Sequence, residues 1–176
     1  MSKPKSPLHH KRWTLRLFEW GVLTCIILIL VGVFLHKARS LQAEAERLNV
    51  QATIDNMRAA ALLASVLHKD NEAVRFHVRP GGNPAKLLKA ETGLEPDGYL
   101  GEMDDVDPAE IAAGKWYFDR EQRALIYRLR SAEGFRSSLS GPARIRLCLN
   151  KGGTTTANDV PLVVEPCEKY EWAQLD

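Results

Sequence analysis

The sequence predicts an α+β fold: a long N-terminal helix, its lower half transmembrane, packed by its upper half on a small antiparallel sheet. Three observations predict it. Residues 17–35, LFEWGVLTCIILILVGVFL, form an apolar run interrupted by a single charge, Glu19. Helix-favouring composition then continues, free of proline and glycine, from residue 36 to 68. After Trp116 the chain changes to short runs that alternate apolar and polar residues between turns.

The apolar run is 19 residues long, which as helix makes about 28 Å, enough for the hydrocarbon core of a bilayer. Residues 1–16 carry Lys3, Lys5, Lys11, Arg12 and Arg16 and no acid. A short basic segment of this kind stays in the cytoplasm, so the remainder is exported. Lys37 and Arg39 reduce the contrast without reversing it, and residues 36–176 hold 19 Lys and Arg against 21 Asp and Glu. Residues 1–16 are read as a disordered basic cytoplasmic tail, and the His9-His10 pair within it as solvated, since no further ligands accompany it. The run reads as an uncleaved anchor, because HKARSLQAEAE after it lacks the small-residue pattern of a cleavage site. Cys25 follows Thr24 in mid-run, which does not fit a lipoprotein signal. The resulting division is 1–16 tail, 17–35 transmembrane helix, 36–68 exported continuation of the helix, and 69–176 an α+β domain.

Within the continuation, apolar residues fall on two lines at 3–4 spacing: Leu41, Ala45, Leu48, Ala52, and Val50, Ile54, Met57, Ala61, Ala64. Residues 17–68 thus form one rod about 78 Å long. Its first exported half, HKARSLQAEAERLN, is wet on most sides. Its second half, MRAAALLASVL, is apolar nearly all round and has to be covered by the rest of the domain. A free coiled-coil dimer is the alternative for the first half, although sustained leucine heptads are missing.

Residues 72–79 alternate Val74, Phe76 and Val78 with Arg75, His77 and Arg79, which suggests a strand; a helical continuation is the alternative. Pro80-Gly81-Gly82 breaks the chain. Asn83-Pro84 reads as an N-cap followed by proline at the first helical position, starting a short helix through KLLKAE that Gly93 ends. Asp107-Pro108 repeats the device for AEIAA, ended by Gly114. Between them GLEPDGYLGEMDD reads as a turn-rich connector. Residues 115–119 and 124–130 flank the polar turn Arg120-Glu121-Gln122-Arg123 as a hairpin. Residues 143–150 alternate Ile145, Leu147 and Leu149 with Arg144, Arg146 and Cys148, and residues 160–165 supply a final strand. Cys148 and Cys167, exported into an oxidising space, most simply pair with each other, which contributes about 3 kcal/mol in the chain-entropy model. Two unpaired buried thiols are the alternative.

The search for chemistry is nearly empty. Glu102, Asp104, Asp105, Asp107 and Glu110 offer oxygens to Ca²⁺, but they lack the order of an EF-hand loop, and Asp107 already has a capping role. Arg128, Arg130, Arg144 and Arg146 lie at alternate positions of two strands, and a solvated outer sheet face accounts for them; a net acidic exported part argues against nucleic acid as partner. No nucleophile elbow, zincin helix or phosphate-cradling loop is present. No catalytic residue, metal, cofactor or small-molecule substrate is therefore expected, and the protein is not expected to be an enzyme. Glu19, a carboxylate inside the apolar edge, is the informative charge. It either pairs with a positive group on a neighbouring membrane helix or merely reaches the headgroups or protonates.

These features together resemble the type IV pilin and pseudopilin family. The residues that carry the resemblance are Glu19 near the start of the apolar run, the helix 17–68, the strands after Trp116, and Cys148 with Cys167 near the C-terminus. The stretch GKWYFDREQRALIYRLR is similar to the family's sheet hairpin through Trp116, Phe118, Asp119, Leu125 and Tyr127. NPAKLLK followed by GYLGE resembles accessory proteins of mannose-sensitive haemagglutinin type pilus biogenesis. The prepilin peptidase motif is missing, because Arg12 precedes Trp13-Thr14-Leu15 where the family has glycine. The resemblance implies a single-pass protein of a bacterial inner membrane, N-terminus cytoplasmic and bulk periplasmic. It assists assembly of, or forms a minor part of, a type IV pilus or type II secretion pseudopilus. Its partners would be other pilin-like subunits or assembly-platform membrane proteins. The alternative is a periplasmic divisome or envelope scaffold with a single membrane anchor.

Overall fold

The computed structural model describes residues 8–67, 79–152 and 161–173, with side chains along the first helix described for 18–38 and 41–66. Helix α1 spans Leu8–Leu67, α2 Pro84–Thr92, and the strands are β1 Tyr99–Met103, β2 Lys115–Asp119, β3 Ala124–Arg128, β4 Phe135–Ser137, β5 Arg144–Lys151, β6 Leu162–Pro166 and β7 Tyr170–Trp172. The chain divides into two compact units, residues 1–42 and 43–176. The α+β class of the sequence reading holds.

Helix α1 starts at Leu8, nine residues ahead of the expected start, and so runs into the stretch read as a tail. Residues 8–16 hold no proline or glycine, and helix propensity does not follow the change in polarity at residue 17. Residues 1–7, the predicted strand from 72 to 78 and His68 lie outside the described residues. In the second unit α1 buries Ala43, Val50, Ile54, Met57, Ala60, Ala61 and Ala64. This is the second of the two apolar lines, and its alanines let the helix axis come close to the sheet. The first line is exposed at Leu41, Ala45, Leu48 and Ala52. The all-round cover expected for MRAAALLASVL is not found: Leu62 and Val66 remain 56% and 65% exposed.

The main sheet has the order β1-β2-β3-β5-β6, with β4-β7 as a separate pair. It is mixed, not antiparallel as expected, because β1 pairs parallel to β2 (Tyr99 opposite Trp116). Strand β1 lies within the stretch read as a connector. Gly98 precedes and Gly101 interrupts, both at positive φ, a strand too short to alternate legibly. The parallel return is made by the loop 104–114, where AEIAA forms turns and not the expected helix. Asp107 Oδ1 accepts from the Ala109 N–H at 2.8 Å, but only five residues separate Pro108 from Gly114, too few to repay helix nucleation.

Where the signals are unambiguous the sequence and the fold agree. Asn83 Oδ1 caps α2 at the Ala85 N–H (2.9 Å), Pro84 follows it, and Gly93 ends the helix at φ 74°. The hairpin β2–β3 pairs Trp116 with Tyr127 and Phe118 with Leu125. Trp116, Phe118, Leu125, Tyr127, Ile145, Leu147, Leu149 and Val164 face α1 and α2 in one core. On the other face of the sheet a smaller core gathers Ile111, Tyr117, Ala124 and Ile126, with Met103, Val106 and both described disulfide cysteines packed against it.

Candidate functional site

Three surfaces hold the residues singled out from the sequence. The first is the apolar segment. Phe18 to Leu35 is exposed throughout, Glu19 included, and one stretch of α1 is long and apolar enough to cross a membrane. Cys25 is a free, exposed cysteine in that stretch. A side-chain hydrogen bond from Thr24 Oγ1 to the Trp20 carbonyl (2.8 Å) satisfies its hydroxyl within the helix.

The second surface is the seat of α1 on the hairpin. Trp116 and Tyr127 stack with ring centroids 4.7 Å apart. The Tyr127 hydroxyl donates to Glu46 Oε1 at 2.9 Å, and the same oxygen accepts from the Arg130 N–H at 2.7 Å. Burial pushes the Tyr127 hydroxyl well above its usual pKa, and the Glu46 carboxylate adds to that. Glu46 therefore fixes the helix against the end of β3. It was not picked out from the sequence, where it is one glutamate among several on a polar face; only the partner across 81 residues distinguishes it. At its other end the helix is held by Arg58, whose Nε donates to the Val164 carbonyl at 3.1 Å and whose Nη1 pairs with Asp55 at 3.0 Å. Glu46→Ala is expected to cost about 1–2 kcal/mol, since it removes one part-buried hydrogen bond to the Tyr127 hydroxyl and one exposed bond to a backbone N–H. Adding Tyr127→Phe to that variant should recover part of the loss, a double-mutant cycle read by denaturant unfolding.

Of the hairpin residues, Trp116, Phe118, Leu125 and Tyr127 join the core as described, while Asp119 is buried on the opposite face. Its Oδ1 accepts from the Gln122 N–H at 2.9 Å and so closes the turn, with Arg123 at φ 51°. These are structural roles that hold the sheet in shape.

The third surface is the outer sheet face with its flanking loops. Cys148 and Cys167 form a disulfide, Cα atoms 5.2 Å apart, as an oxidising compartment permits. Arg146 is committed to Glu168 through two hydrogen bonds and to Gln122. Arg128 Nη1 bonds the Ala109 carbonyl at 3.1 Å, and Arg144 Nη1 those of Ser140 and Pro142. Beneath them the Tyr117 hydroxyl is buried without a hydrogen-bond partner among the described residues. Burial raises its pKa, against the opposing pull of Arg144, Arg128 and Arg146. The sequence signalled the arginines but not the tyrosine, which reads there as one more strand aromatic.

The acidic residues do not converge. Asp104 pairs with Arg120 at 2.7 Å, Asp107 caps the turn, and among the described residues no group of three or more His, Cys, Asp or Glu is placed to hold a metal. Glu102 takes a different role. Its Oε1 accepts from Asn83 Nδ2 at 2.9 Å and pairs with Lys86 at 2.9 Å, tying β1 to the start of α2. Burial raises its pKa, but the Asn83 and Lys86 bonds and the Lys86 and Arg120 charges outweigh that and hold it below the ordinary value of a glutamate. A carboxylate with a depressed folded pKa stabilises fully above its unfolded pKa, and that contribution is lost as pH falls through the folded value. The thermal midpoint should therefore fall on acidification below about pH 4.5, and Glu102→Gln should flatten that limb. An open cleft lined by Arg58, Glu165, Glu168, Lys169 and Tyr170 lies at the edge strand β6. No protein-family model, no curated protein and no solved structure matches this chain.

Proposed function

We propose that this is a single-pass, pilin-like membrane protein, N-terminus cytoplasmic and bulk periplasmic. It assists assembly of, or forms a minor part of, a type IV pilus or type II secretion pseudopilus. One observation carries the reading. The helix that presents Val50, Ile54, Met57, Ala61 and Ala64 to the sheet leaves Leu48, Ala52, Ala59, Leu62 and Val66 exposed on the opposite side. A helix apolar on two opposed faces suits a subunit that holds its own sheet with one face and other helices with the second. Glu19, in the apolar segment, would pair with a cation on a neighbouring membrane helix, and the sheet domain would dock on pilin-like subunits or on the assembly platform.

Deleting the gene in its own host tests this. Loss or shortening of pili by electron microscopy, with recovery of a pilin-like or platform protein after in-cell cross-linking at the exposed helix face, is the expected result. Normal pili and secretion with no such cross-link would remove the reading.

A specific observation favours a second reading, an envelope or divisome scaffold. Ala45, Leu48, Ala52, Asp55, Ala59, Leu62 and Val66 follow the alternating 3–4 spacing of a coiled-coil seam, with alanine and leucine in alternate layers and Asp55 as the polar one. Filamentous or misshapen cells in the deletion strain, with intact pili, would favour the scaffold.

A further inference from the structure

On the outer face of the main sheet, register sets Lys115, Arg128 and Arg144 side by side across β2, β3 and β5. Strands lie about 4.8 Å apart, and like charges directly opposite one another destabilise the pairing. Among the described residues the arginines bond neutral carbonyls through Nη1 alone, so Nε and Nη2 of both are left over. Lys115 lies across Gly98 on the β1 side, its Nζ 3.4 Å from where a Cβ there would stand, and among the described residues no carboxylate pairs with it.

Two residues along β2 on the same face is Tyr117, 0% exposed, its hydroxyl without an acceptor. Arg144, Arg128 and Arg146 are the cations whose fields reach that hydroxyl, Arg144 foremost. Arg146 is already taken by Glu168 and Gln122, and the acid that also reaches the hydroxyl, Asp119, closes its own turn. Among the described residues one hydroxyl, two guanidinium edges and one ammonium remain unmet here, against the second oxygen of Asp119. A buried hydroxyl lacking an acceptor and a row of cations lacking an anion are each unfavourable. A single oxyanion relieves both, and a phosphate, with several oxygens and arginine-matched geometry, does so best.

We propose that Tyr117, Arg128, Arg144 and Lys115 form a binding site for a phosphate group. Its source is either inorganic phosphate or the headgroup of an anionic phospholipid. The site is independent of the pilus reading and stands or falls separately.

The test uses the full chain with tyrosine labelled at the ζ carbon, the Tyr117 signal being assigned by Tyr117→Phe. In neutral-detergent micelles the protein is titrated with inorganic phosphate at constant ionic strength. In a second arm it is placed in phosphatidylcholine nanodiscs with and without phosphatidylglycerol. A saturable shift of the Tyr117 signal in micelles identifies free phosphate. A shift only with phosphatidylglycerol identifies the headgroup. In the responding arm binding is read from the phosphorus resonance of the ligand, and Tyr117→Phe, which removes a hydroxyl without a partner among the described residues and so spares the fold, should weaken it about tenfold or more, as should Arg144→Gln. A Tyr117 signal unmoved in both arms overturns the site and leaves the hydroxyl to a buried water. Binding unchanged in Tyr117→Phe overturns it equally.

Discussion

Truncating Ile54 to alanine is expected to destabilise the folded protein by about 3–4 kcal/mol, within the range for a large aliphatic side chain removed from a packed core. Ile54 is 1% exposed and lies among Val50, Met57, Trp116, Leu125 and Ile145 in the core between α1 and the sheet. The cavity opens beneath a stretch of helix that Glu46 and Arg58 tie down on either side of Ile54, so the walls have little freedom to collapse and the cost stays high. For a chain of this length the thermal midpoint should fall by about 10 °C. Leu62 is the matched control. It sits on the same helix with an identical number of carbons, yet 56% of it is exposed, and Leu62→Ala should change stability by no more than about 0.5 kcal/mol. Circular-dichroism melts of both variants in one detergent decide the matter. Equal costs would mean that the helix does not present the face described.

Opening the Cys148–Cys167 bridge should cost about 3 kcal/mol, the loop-closure value for a 19-residue separation. Two structural facts argue against a smaller figure. The cysteines join β5 to the chain just past β6, so the bridge limits the loop between two paired strands. They also pack against Ile126 and Tyr117 in the outer core, and losing the bridge loosens that contact as well. The expected result is a fall of about 6–12 °C in the thermal midpoint on adding reductant, matched by the double variant Cys148→Ser with Cys167→Ser. A midpoint indifferent to reductant would show that strand pairing alone closes this edge of the domain.

Legibility from sequence followed the range of the interactions involved. The cap, proline and glycine of α2 act within one turn, and so were readable in full. The line Val50, Ile54, Met57, Ala61, Ala64 was readable because burial on one helix face leaves a period. The companion line Leu41, Ala45, Leu48, Ala52 has the same period but no cover within the second unit; periodicity reports that a face is apolar, not which surface will meet it. Strand β1 escaped because a parallel edge strand containing Gly101 carries neither alternation nor a hairpin turn. The pair β4–β7 escaped because its strands are three residues each and are held by Phe135 against Tyr170 and Trp172. Of the site residues, the cysteines and hairpin aromatics were legible as types with known uses. Glu46 and Tyr117 were not, since each acquires its meaning from partners, or the lack of one, that only the sheet register supplies.

The reach of Arg58 to Val164 bears on how copies of this protein can meet. Backbone groups along the outer side of β6 would otherwise template a further strand, the usual route to sheet-to-sheet aggregation. Arg58 occupies the Val164 carbonyl, and Pro166 two residues on has no N–H to offer. Two of the outward backbone positions of β6 are thereby withdrawn from strand addition on that side. Arg58→Ala, which frees the Val164 carbonyl, should therefore raise self-association, read by light scattering.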